Sequence, residues 1–71
     1  MKKKLITLAK QLDFSTETEY FDYCIDSHIN GNFSQGKRLF LEMKKEDQKQ
    51  FIRHCLEYGS ENIYNYYLDL L

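Results

Sequence analysis

The stretch Asn30–Met43, NGNFSQGKRLFLEM, constrains the fold more than any other part of this chain. Gly31 is suited to the left-handed conformation that ends a helix. Asn32, with Gln35 three residues on, supplies the N-cap and N3 chemistry that starts the next helix. A chain that stops one helix and opens another over so short a stretch has to turn back on itself as an antiparallel helical hairpin. Strands have little to draw on. The sequence contains no Val and no Pro, and Thr occurs only at 7, 16 and 18, so β-branched residues are scarce.

Hydrophobic spacing extends this reading over the whole chain. Leu5, Leu8, Ala9 and Leu12 recur at helical intervals and predict a first helix over 2–12, with Phe14 folding back onto the core. Thr16 and Glu19 form a capping-box pattern that opens a second helix at about 16–30. Its buried stripe is expected to be Phe21, Cys24, Ile25, His28 and Ile29, and its outer stripe Glu19, Asp22 and Asp26. A third helix over about 33–43 should bury Phe33, Gly36, Leu39, Phe40 and Met43. Lys44 and Lys45 suit a helix end, and Glu46 and Asp47 a helix start, so a break is placed near 44–46. The competing reading is one bent helix through 33–58. A fourth helix at about 46–58 buries Phe51, Ile52, Cys55 and Leu56. Gly59 closes it, and Ser60, with Asn62 as rival, caps a fifth helix over 61–71. Phe21, Ile25, Phe40, Phe51 and Ile52 form the centre of the expected core. The fold class is therefore all-α, a bundle of four to five short helices. Seventy-one residues allow a single domain, 1–71.

With those helices laid out, residues 20–43 resemble one tetratricopeptide-type helical hairpin. Tyr20 and Tyr23 fall at large positions of its first helix and Cys24 at a small one. Gly31 stands at the turn glycine, Phe33 at the following aromatic, and Gly36 at the close-contact position of the second helix. Phe40 and Met43 complete the pattern. Ser27 departs from it where an aromatic is usual, Met43 is larger than the usual alanine, and no Pro closes the unit. The likeness covers about a third of the chain and does not recur in the last two helices. Such hairpins, stacked in arrays, bind peptides and partner proteins, which is what the resemblance implies here.

Charge is arranged in blocks. Residues 1–12 carry four Lys and no acid, and 13–35 carry five acids and no base. Residues 36–55 are net basic and 56–71 carry acids alone. With a net charge of −1, bulk phosphate binding is disfavoured. The blocks suggest a basic first helix lying against an acidic second one. The start MKKKLITLA imitates a signal-peptide n-region, but Lys10 and Gln11 cut its apolar run short, and no segment approaches a membrane span. The expected location is the cytoplasm, with Cys24 and Cys55 reduced. A codon bias toward Asn, Lys, Ile, Phe and Tyr points to a low-GC bacterium, or to a phage or mobile element of one.

Candidate chemistry is sparse. Cys24 and His28 are spaced i, i+4, which suits a metal, but His54 and Cys55 are neighbours that diverge by about 100° on a helix. No metal site, cofactor or catalytic residue is expected. Without a nucleophile and base, paired carboxylates in a pocket or a glycine-rich phosphate loop, no enzyme is expected either. What stands out is apolar surface late in the chain: Tyr58, Tyr64, Tyr66, Tyr67, Leu68 and Leu71. Tyrosine is amphipathic and enriched at protein interfaces. Ile63, Tyr67, Leu70 and Leu71 lie on one side of the last helix, with Tyr64 and Leu68 on another. These residues predict a protein interface, and a homodimer formed through the last helix is expected, with a heterologous partner as the alternative use of the same surface. Glu19, Asp22 and Asp26 are a candidate acidic surface. The expected function is a small interaction module, an adaptor or inhibitor, with an anti-defence role among the uses that suit its size. The rival is a small DNA-binding regulator using the arm Lys2, Lys3 and Lys4 with Lys37 and Arg38 of the third helix.

Overall fold

A computed structural model describes residues 2–71. Five helices follow in order: α1 Leu5–Gln11, α2 Glu17–Ile29, α3 Phe33–Glu42, α4 Lys45–Tyr58 and α5 Glu61–Leu70. The all-α class holds. α2 is the central element, in contact with α1, α3 and α4, while α5 packs along α4. The result is two helical hairpins, α2–α3 and α4–α5, with α1 laid against the first. Among the described residues no helix is long and apolar enough to cross a membrane.

The capping signals at Thr16 and Asn32 act where the sequence places them, while Ser60 precedes α5 without a side-chain cap bond. Thr16 Oγ1 accepts from the Glu19 amide at 3.3 Å, and Asn32 Oδ1 from the Gln35 amide at 3.4 Å. Helix ends are closed by paired backbone bonds around a left-handed residue. Gly31 (φ 85°) and Gly59 (φ 89°) fill that role after α2 and α4. After α1 it falls to Asp13 (φ 61°), where the Phe14 amide reaches back to the Ala9 carbonyl at 2.9 Å. This turn delivers Phe14 onto Tyr23, ring centroids 5.6 Å apart, as expected.

The break between α3 and α4 comes earlier than 44–46. Met43 and Lys44 are both extended, so the chain turns a sharp corner there, and the single bent helix is excluded. Gln48 explains how the corner is satisfied. Its side chain is buried, and Nε2 donates to the Met43 carbonyl (3.0 Å) and to the Phe40 carbonyl (3.1 Å), which also accepts the Met43 amide (3.2 Å). Residues 2–4 are not helical either. The Lys3 amide donates to the Glu42 carbonyl at 3.1 Å, which ties the basic arm to the same corner.

Phe21, Ile25, Phe40, Phe51 and Ile52 are all buried, together with Leu5, Leu8, Ala9, Leu39, Met43 and both cysteines. Four apolar residues expected inside are outside: Leu12, Ile29, Phe33 and Leu56. Each has the right helical phase but lies at the margin of its stripe, where no further helix exists to cover it. Basic α1 does lie against acidic α2, but no ion pair joins the two among the described residues. Asp22 is instead met from α4, its Oδ1 2.8 Å from His54 Nε2.

Candidate protein-interaction surface

The interior of the bundle is closed around Tyr67. Its ring is fully buried and stacks within 5.0 Å of Phe40 and 4.9 Å of Phe51, edge-on to the latter. The hydroxyl end reaches across α4 and α5 into the α2–α3 hairpin, where it lies 3.9 Å from Cys24 Sγ. Cys24 in turn donates to the Gly36 carbonyl at 3.3 Å. Gly36 is a close-contact position, as the hairpin likeness implies, but the neighbour that requires it is different. A Cβ there would collide with the Tyr67 hydroxyl, whereas the α2 backbone, at the Cys24 carbonyl, stands at an ordinary 3.5 Å. Tyr67 therefore belongs to the core and not to the exposed face on which the sequence placed it.

Burial sets the chemistry of these groups. Desolvation pushes the Cys24 and Cys55 thiols up to about 12, Cys24 despite its contact with the Tyr67 hydroxyl, so neither is a nucleophile near neutrality. Tyr67 is raised mainly by burial and then by Cys24, and Tyr20 by burial and then by Glu42. The Tyr20 hydroxyl donates to the Leu39 carbonyl at 2.8 Å. His28 is held below its ordinary value by burial. It sits among Phe33, Tyr66 and Tyr67, with Nδ1 buried and without a hydrogen-bond partner among the described residues. Among those residues no three His, Cys, Asp or Glu side chains converge to hold a metal.

The remaining tyrosines and leucines divide by position. Tyr64, Leu68 and Leu71 line one side of a groove of about 270 Å³ between α4 and α5. Ile52 and Leu56 form the other side, and Lys49 and Arg53 edge it. Leu56 is 49 % exposed, Leu68 42 % and Leu71 37 %. Tyr66 is half-buried against His28 and Tyr67, and Tyr58 is exposed at the end of α4, outside the groove lining. The sequence missed Leu56, Lys49 and Arg53 as partners of the α5 residues. Leu56 was assigned inward by its period, and the two cations stand in a region that reads as a solvated face.

The other candidate surfaces are built differently. Of the acidic trio, Asp22 is engaged by His54, Glu19 Oε1 lies 3.4 Å from the Thr16 hydroxyl, and Asp26 is exposed. Lys37 and Arg38 are exposed on α3, and the strapping of Lys3 to Glu42 carries Lys2, Lys3 and Lys4 toward the end of that helix. Arg38 and Glu42 also edge a cleft of about 240 Å³ between α1, α2 and α3, floored by Leu8, Tyr20 and Leu39. The Tyr20 hydroxyl in that cleft is already bonded to the Leu39 carbonyl. Ile29 and Phe33 are also exposed about the α2–α3 turn, where Phe33 packs on His28. Comparison with protein-family models, curated proteins and solved structures finds no match for the chain.

Proposed function

We propose that this chain is a small protein–protein interaction module, an accessory adaptor or inhibitor that engages its target through the α4–α5 groove. The observation that carries this reading is the adjacency of Leu56, Leu68 and Leu71 around one concave surface; the other exposed large apolar residues, Leu12, Ile29, Phe33, Leu41 and Tyr58, lie outside it. Contiguous apolar area rimmed by polar groups is what interaction sites present, whereas scattered exposed leucines are ordinary. We place the module in the cytoplasm, where its thiols stay reduced, and assign it to a phage or mobile element of a low-GC bacterium, with anti-defence one of the roles that suit its size. Homodimerisation through the same face is the alternative use of the surface. The deciding experiment is capture from an extract of the native host with the tagged chain beside two variants. A partner retained by Lys37→Glu/Arg38→Glu and lost with Leu68→Ser supports the groove. A partner retained by both variants, or none captured by the wild-type chain, counts against it.

The second reading, a DNA-binding regulator, draws on the Lys3–Glu42 contact that brings the basic arm to α3. It requires binding to duplex DNA that falls steeply with salt and is lost on Lys37→Glu/Arg38→Glu.

A further inference from the structure

We propose that the occupant of the α4–α5 groove is an acidic amphipathic helix of a partner protein, its leucine-type face between Leu56 and Leu68 and its carboxylates against Lys49 and Arg53. This rests on the interaction reading above and specifies the partner's chemistry. Two observations carry it. The groove lining contains two cations and no acid, and neither cation forms an ion pair with a neighbour among the described residues. Lys49 and Arg53 are also one helical turn apart on α4, so they project along the same edge and match carboxylates spaced one turn apart on a second helix.

The apolar lining sets the other half of the match. Leu56, Tyr64 and Leu68 are presented by two antiparallel helices, and the trough between them suits a third helix laid in with anchors at i, i+3 or i+4, and i+7. A second copy of this chain fits less well. A two-fold axis through the face would bring both copies' Lys49 and Arg53 into one interface, placing four like charges together where the lining offers no acid to offset them.

The test uses the full chain and two synthetic probes read by fluorescence anisotropy. One probe is a helix of about four turns with a leucine stripe flanked by glutamates; its twin carries lysines in place of the glutamates. The acidic probe should bind, weaken as salt is raised, and outcompete its twin by about tenfold. Lys49→Glu/Arg53→Glu should invert that order, and Leu68→Ser should weaken both probes. Far-ultraviolet circular dichroism of each variant establishes that the bundle is intact. Equal binding of the two probes, or a preference that survives charge reversal, overturns the proposal while leaving open an uncharged or basic partner in the groove. Sedimentation in parallel covers the remaining occupant: a wild-type dimer that Leu68→Ser disperses to an 8.6 kDa monomer would show the face covered by a second copy, and would overturn the proposal as well.

Discussion

The two hairpins of this bundle are held together by different physics. In α2–α3 the helices are clasped by hydrogen bonds. Gln35 donates from Nε2 to the Tyr23 hydroxyl (2.6 Å) and to Ser27 Oγ (3.1 Å), while its Oε1 accepts from Asn32 at 2.9 Å. Tyr20 bonds the Leu39 carbonyl and Cys24 the Gly36 carbonyl across the same interface. In α4–α5 no side-chain hydrogen bond joins the two helices among the described residues, and neither N-cap, Lys44 or Ser60, makes a side-chain cap bond. That pair relies on apolar packing and on the turn at Gly59. Directional bonds fix the first hairpin, whereas the second is held by non-directional packing and carries the groove along its outer edge.

Tyr67 is where the contrast is most exposed, since it belongs to the packed hairpin and inserts into the bonded one. Tyr67→Ala should therefore cost about 3–5 kcal/mol in denaturant unfolding, most of the stability of a domain this size. A loss under about 1 kcal/mol would mean the hairpins are energetically independent.

Alkaline pH loads the same junction. A thiol whose folded pKa is raised keeps its proton in the folded state after the unfolded chain has released it. Stability is then full below the ordinary value of 9.0 and declines from there toward about 12. Each buried thiol contributes a slope that grows through the ordinary value toward a limit of about 1.4 kcal/mol per pH unit. Unfolding midpoints measured from pH 8 to about 10 should fall accordingly, and the Cys24→Ala/Cys55→Ala variant should lose most of that dependence.

Gly36→Ala asks which neighbour demands the glycine. In an exposed helix this change stabilises by up to about 1 kcal/mol. Here it should cost about 1–3 kcal/mol because the added methyl meets the Tyr67 hydroxyl. A double-mutant cycle with Tyr67→Phe should recover much of the loss. No recovery would move the obstruction from α5 to the α2 backbone.

Gln35→Ala removes the clasp itself and should cost about 1–2 kcal/mol, read by thermal unfolding. Leu68→Ser, on the open groove, should stay within about 0.5 kcal/mol of wild type. If the two variants prove equally harmful, the distinction between a bonded and a packed hairpin fails.

Much of this architecture is legible without coordinates because its signals are local. Thr16 with Glu19, Asn32 with Gln35, and the glycines at 31 and 59 each act within a turn of where they stand, so helix number and order follow from them. What is hidden depends on distant partners. Tyr67 shares a phase with Ile63, which marks a side of α5, but only the hollow over Gly36, thirty-one residues away in sequence, makes that side the interior. Gln48 sits in the polar run Lys44–Gln50 and reads as solvated until the carbonyls of Phe40 and Met43 are known to face it. Leu56 fits the apolar period of α4 and is left out for want of a sixth helix. The groove is invisible for the same reason: its two walls are each an unremarkable stripe edge, and only their apposition makes a site.

The tightly closed helix ends bear on how such a protein is destroyed. Asp13, Gly31 and Gly59 each lock a turn by backbone bonds, and the α3–α4 corner passes through only Met43 and Lys44. Proteases need a stretch of extended, mobile chain, and connectors this short supply none while the helices remain docked. Cleavage then waits on opening of whole helices, so turnover in the cell tracks the population of the opened chain and with it global stability. A bound partner, by stabilising the docked state, lengthens the protein's lifetime in proportion to its occupancy. On the proposed interaction reading, the abundance of this chain would follow the presence of its target.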